Sequence, residues 1–145
     1  MGGFLVRVVI IGAIAFGAYM FRDNLTGNAG DLKVGDCFDE PAGETLITDV
    51  QHHPCEESHT SEVIFVGNMP GGKDAYPTDV EVDGFAESKC LPAYKKYSGV
   101  DFDPKGEMTI GWFYPTTEGW KKGDRGMTCY AVREDGAALT TSIKN

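Results

Sequence analysis

Apolar and polar residues follow three regimes along this chain, and each regime predicts a different kind of structure. From Phe4 to Phe21 the run is apolar, with Arg7 its one charge. About 18 residues, coiled as a helix, extend about 27 Å, enough to cross the hydrocarbon core of a bilayer. Arg7 lies near the start, where its aliphatic stem can stay in hydrocarbon while the guanidinium reaches the headgroups. Residues 1–23 are therefore read as a membrane anchor or uncleaved signal, and Ala13-Ile14-Ala15 offers the alternative of cleavage. Residues 24–31 are small and polar and read as a spacer.

Beyond the spacer the period drops to two. Leu32–Phe38 alternates, Thr45–Val50 follows the turn residues Pro41-Ala42-Gly43, and Glu62–Val66 is β-branched and aromatic, which predicts three strands in an antiparallel meander. Gly67–Thr78 is dense in turn residues and reads as a loop.

A third regime, with steps of three and four, begins at Val82 and continues through Phe85, Ala86, Lys89, Cys90, Ala93, Tyr94 and Tyr97. It predicts an amphipathic helix entered at Asp83, with a kink or break near Leu91 because Pro92 removes a backbone donor. Alternation then returns in Met108–Tyr114 and Gly126–Val132, joined across Pro115–Asp124; Ala138–Ile143 is either a sixth strand or a frayed tail. The expected fold is α+β: a small, mostly antiparallel sheet of about five strands with one helix packed on it, two disulfides, and a transmembrane helix in front. The domain is placed at residues 32–133, with 134–145 as a C-terminal tail.

The four cysteines all follow the apolar segment. An even count in a small domain fits an oxidising compartment, so the cysteines, more than the flanking charges Arg7 and Arg22, place the domain outside the cytoplasm. Four cysteines allow three pairings. Cys37 with Cys55 and Cys90 with Cys129 is favoured, because the second bond would staple the helix to the last strand. Its roughly 40-residue loop would restrict the unfolded chain by about 4 kcal/mol.

Net charge is −9, from 22 acidic against 13 basic residues, and no basic cluster occurs. Nucleic acid is thus excluded as an expected partner, since phosphate neutralisation needs clustered Lys and Arg.

Candidate chemistry is confined to His52-His53-Pro54-Cys55-Glu56-Glu57-Ser58-His59. These residues suit zinc, with Cys37 or Cys90 as a further ligand, or a Cys-His nucleophile pair, and so a metal- or thiol-dependent enzyme centred on His52, His53, Cys55 and His59 is an alternative. A paired Cys55 with polar histidines on a turn is the preferred reading, with no catalytic residue, cofactor or metal expected. His59 and Glu62 are spaced for a local hydrogen bond orienting that turn. Trp112, Tyr114 and Trp120 form a possible binding face for wall glycan or peptide. Trp120 with Gly123-Asp124-Arg125 reads as a turn in which Arg125 pairs with Asp124 or stacks on the indole.

Leu32-Lys33-Val34-Gly35-Asp36-Cys37-Phe38, Val50 with the Cys55–Val63 run, Tyr76-Pro77, Cys90, and Phe113–Arg125 followed by Cys129 together resemble the septum formation domain family. The family usually has Pro-His where this chain has Ser58-His59. The resemblance marks Gly35, Asp36, His59, Glu62, Trp120, Gly123, Asp124 and Arg125 as motif residues. It implies an actinobacterial envelope protein, single-pass in the cell membrane, with an extracytoplasmic C-terminal domain. The expected role is non-enzymatic: cell division through binding of division or cell-wall proteins.

Overall fold

The computed structural model describes residues 31–39 and 50–145. Phe4–Phe21 and Thr45–Asp49 of the expected second strand lie outside the described residues. Among those described, no helix is long and apolar enough to cross a membrane.

Among the described residues, five strands form one sheet: β1 Cys37–Asp39, β2 Gln51–His53, β3 Ser61–Asn68, β4 Met108–Phe113 and β5 Gly126–Arg133. Their order is β2-β1-β3-β5-β4, with every pair antiparallel. The expected meander would have put the second strand between the first and third. Instead β1 lies in the middle, pairing Cys37 with His53 on one side and with Glu62 on the other. The composition explains the inversion. Phe38 is wholly buried and suits the interior, whereas Gln51, His52 and His53 are polar and suit an edge.

Both faces of the sheet are packed, and β5 shows how. Met127, Cys129 and Ala131 belong to the cluster under the long helix, while Tyr130 and Val132 join Leu32, Phe38, Val50, Val63 and Phe113 on the opposite face. Gly111 stands opposite Tyr130, and any Cβ there would overlap the tyrosine ring.

The long helix, α1, runs Asp79–Ser98. It starts one turn before the expected Asp83 because Thr78 and Glu81 form a capping box: Glu81 N donates to Thr78 Oγ1 at 3.3 Å, and Thr78 N donates to Glu81 Oε2 at 2.8 Å. Val82, Ala86, Cys90, Tyr94 and Tyr97 face the sheet, and Gly99 ends the helix in a left-handed conformation with φ 78°. No break occurs at Leu91. Leu91 and Pro92 are exposed, so the backbone partner that Pro92 cannot supply is replaceable by water on the solvent side. A short helix, α2, Thr117–Lys121, occupies the connection between β4 and β5, capped by Thr116.

The disulfides are Cys37–Cys55 and Cys90–Cys129, the latter joining α1 to β5. The C-terminal residues are tied in: Leu139 and His59 exchange two backbone hydrogen bonds, and Asn145 N donates to Tyr97 O.

Candidate functional site

The densest polar arrangement among the described residues is centred on Glu62, near the start of β3. β3 must carry Glu62 inward because its register sets that residue opposite Cys37 and Ala131, both buried. Glu62 and His59 are each 0% exposed. A carboxylate has room for about four hydrogen bonds, and here the places are filled. His59 Nε2 and the Ile143 amide reach Oε1, both at 2.9 Å. Oε2 accepts from Tyr97 Oη at 3.0 Å and Ser142 Oγ at 2.8 Å.

His59 Nδ1 is 2.8 Å from the Glu57 carbonyl, which can only accept, so Nδ1 carries a hydrogen. One further proton is then shared between Nε2 and Glu62 Oε1. This pair is buried, geometrically complete and closed over by the C-terminal residues. Such an arrangement holds segments together; a general base would need a substrate proton within reach.

The remaining candidates of this stretch do not converge on it. His53 Nε2 bonds Asp39 Oδ2 at 2.7 Å across β2 and β1, while His52, its neighbour on β2, points to the other face. Cys55 is bonded to Cys37, which ties up the thiol that a Cys-His nucleophile requires. A different trio does meet: donor atoms of Cys37, His59 and Glu62 all lie within 4.8 Å of one another.

A second arrangement occupies the far end of β3. Trp120, on α2, is 1% exposed and donates from Nε1 to Gly72 O at 2.8 Å. Arg125 lies over the indole, 3.8 Å from the ring centroid. Its Nε donates to Gly71 O at 3.1 Å and its Nη1 to the carbonyls of Trp120 at 2.8 Å and Asp124 at 2.6 Å. Of the two readings of Arg125, stacking is therefore realised; its contact with Asp124 is through the backbone.

Tyr76 packs edge-on against Trp120 and donates to Pro115 O at 2.7 Å. Burial, then the neighbouring Tyr114, push the Tyr76 phenol well above its ordinary pKa. The result pins residues 69–77 to the β4–β5 connection.

Several motif residues turn out to shape backbone. Gly35 has φ 97° and donates to Val63 O, and Asp36 Oδ2 accepts from Lys33 N, which aligns the start of β1 beside β3. Gly123 has φ 99°, and Asp124 Oδ1 accepts from Gly126 N where β5 begins. Tyr114 and Trp120 are 4% and 1% exposed, so with the half-buried Trp112 they are core rings and form no open platform.

The helical period puts Tyr97 on the buried face and the family resemblance includes Tyr76, yet the sequence does not show the partners of their hydroxyls, Glu62 and the Pro115 carbonyl. No local pattern marks Ser142 or Ile143, whose bonds to Glu62 bridge 80 and 81 residues.

With this geometry in place, comparison with known proteins identifies the class. Residues 34–144 match the family described as septum formation, and the chain belongs to that family. It is 28% identical over 101 residues to an uncharacterized membrane protein of Mycobacterium tuberculosis strain CDC 1551, and equally to one of strain H37Rv. In each case the match covers 66% of this chain and 22% of the relative, so the chain corresponds to a fraction of those proteins. No solved structure matches.

Proposed function

We propose that this chain is a membrane-anchored, non-enzymatic domain on the extracytoplasmic side of the cell membrane, serving septum formation by binding division or cell-wall proteins. The observation that carries the reading is the family match over residues 34–144. Three features support it: the relatives bear the name membrane protein, Phe4–Phe21 is long and apolar enough to anchor, and all four cysteines are in disulfides suited to an oxidising compartment.

The surface put forward for binding is the pinned loop and the start of α1. Arg125 and Trp120 hold the loop from beneath, while Tyr76 is 38% and Val80 is 80% exposed. A rigid loop presenting an aromatic and an aliphatic side chain loses little entropy on docking.

The test is depletion and complementation in dividing cells. Depletion is expected to disturb septa, restoration to require the anchored form, and a photocrosslinker at Val80 to capture a division or wall component that one at Val100 does not. Normal septa after depletion would overturn the role. Full restoration by a form lacking Phe4–Phe21 would overturn the anchor.

A further inference from the structure

Cys37, His59 and Glu62 are 2%, 0% and 0% exposed, and their donor atoms converge within 4.8 Å. We propose that opening the Cys37–Cys55 disulfide converts this trio into a zinc site, giving the domain an oxidised form closed to metal and a reduced form that binds it.

The donor set fits zinc: a thiolate, an imidazole nitrogen and a carboxylate oxygen leave a fourth position for water. A thiolate selects against calcium and magnesium, which prefer oxygen. Charge fits as well. One thiolate, one carboxylate and a neutral imidazole balance a divalent cation, so the filled site holds no net buried charge.

The surroundings are those of a metal site. His59 Nδ1 donates to Glu57 O at 2.8 Å, which directs Nε2 inward; zinc-bound histidines characteristically carry such an outer hydrogen bond. Tyr97 and Ser142 hold Glu62 Oε2, turning Oε1 toward the imidazole. Pairing of β1 with β3 sets Cys37 directly opposite Glu62. The carboxylate and sulfur are thus brought together by the sheet itself.

Electrons and protons balance as follows. A dithiol reductant transfers two electrons and two protons to the Cys37–Cys55 bond, becoming a disulfide and leaving two thiols. Zinc then displaces the Cys37 thiol proton and the proton shared by His59 and Glu62, releasing both to solvent. The order of reduction follows from exposure. Cys55 sits partly exposed on the turn between β2 and β3, whereas Cys90 and Cys129 are 1% and 0% exposed beneath α1.

The experiment uses the full chain in detergent, with zinc measured by competition against a chromophoric chelator and Co2+ as a spectroscopic probe. A water-soluble phosphine serves as reductant, since it opens disulfides and competes for zinc far more weakly than a dithiol does. Oxidised protein is expected to bind no zinc at this site, and phosphine-treated protein one ion, with a cobalt-thiolate band in the near ultraviolet.

Cys55→Ser frees Cys37 permanently and is expected to bind one zinc without reductant, whereas Cys37→Ser binds none under either condition. A disulfide that is merely structural would make the two variants equivalent. In the Cys55→Ser background, Glu62→Gln and His59→Asn should each weaken binding at least tenfold. Equal zinc binding by Cys37→Ser and Cys55→Ser would overturn the proposal. So would absence of the cobalt-thiolate band in reduced wild-type protein that keeps its circular dichroism, a measurement that decides the matter even if Cys55→Ser fails to fold.

Discussion

The two ends of β3 solve the same problem, fastening a distant segment to the sheet, by opposite physical means. At Glu62 the fastening is a buried charge with its acceptor places filled and the C-terminal residues as partners. About 20 Å away along the strand, at Met69, it is an aromatic ring capped by a half-exposed guanidinium bonded to three backbone carbonyls. A buried charge gains little over apolar packing while intact, yet removal of one partner leaves the others unpaired in a dry interior. A ring under a guanidinium loses its contacts one at a time, each replaceable by water. The first end is all-or-none and the second graded.

That difference orders the expected effects. Glu62→Ala should be the most damaging, at about 3–5 kcal/mol, since it strips partners from His59, Tyr97, Ser142 and Ile143 together. Urea denaturation measures it. The double variant with His59→Ala should lose clearly less than the sum of the single losses; simple additivity would break the idea of a coupled node.

At the other end Gly71→Ala comes next. Gly71 has φ 136°, and an added Cβ would sit 2.7 Å from Trp120 Cζ2. About 1–3 kcal/mol is expected from left-handed strain and overpacking, with a change in tryptophan fluorescence. Arg125→Lys retains the charge but loses the fork, at about 1 kcal/mol, again by denaturation. If it matched Glu62→Ala, the contrast between the ends would fail.

The smallest effect lies away from both ends. Hydrogen bonding from Arg133, 2.9 and 2.8 Å from the two carboxyl oxygens, lowers the Asp135 pKa to about 2. A depressed carboxylate stabilises the fold above its unfolded pKa, and the contribution fades as pH falls toward about 2. A carboxyl NMR titration should show that midpoint, and Arg133→Ala should return it toward the ordinary value. Because Asp135 is exposed, its own share of the stability is small, so Arg133→Ala should shift the urea midpoint at neutral pH little.

How much of this was legible in the sequence differs between the ends and follows from locality. The helix face Val82, Ala86, Cys90, Tyr94, Tyr97 was readable because its period is local, and so was the His59–Glu62 spacing. The helix start was also written, in Thr78 and Glu81, but the apolar period begins only at Val82 and drew the boundary inward. Strand order was not readable. Whether β1 lies inside or outside β2 depends on which strand buries Phe38, a tertiary matter.

The aromatic run misled for a related reason. Alternation correctly split Phe113 from Trp112 and Tyr114, yet both faces of this sheet are packed, so facing away from one core meant facing another. The anchoring of Ser142 and Ile143 has no local sign at all. It requires knowing that an inward-facing carboxylate 80 residues earlier lacks partners.

Glu62 locks the C-terminal residues into the fold, and amide hydrogen exchange at Ile143 reads that lock. The Ile143 N–H donates to Glu62 Oε1 at 2.9 Å. In the wild-type protein it should exchange as slowly as core amides of β5, Glu62→Ala should abolish that protection, and Arg125→Lys should leave it intact. Exchange of Ile143 at the rate of an open amide in the wild-type protein would mean that Glu62 does not hold the C-terminal residues.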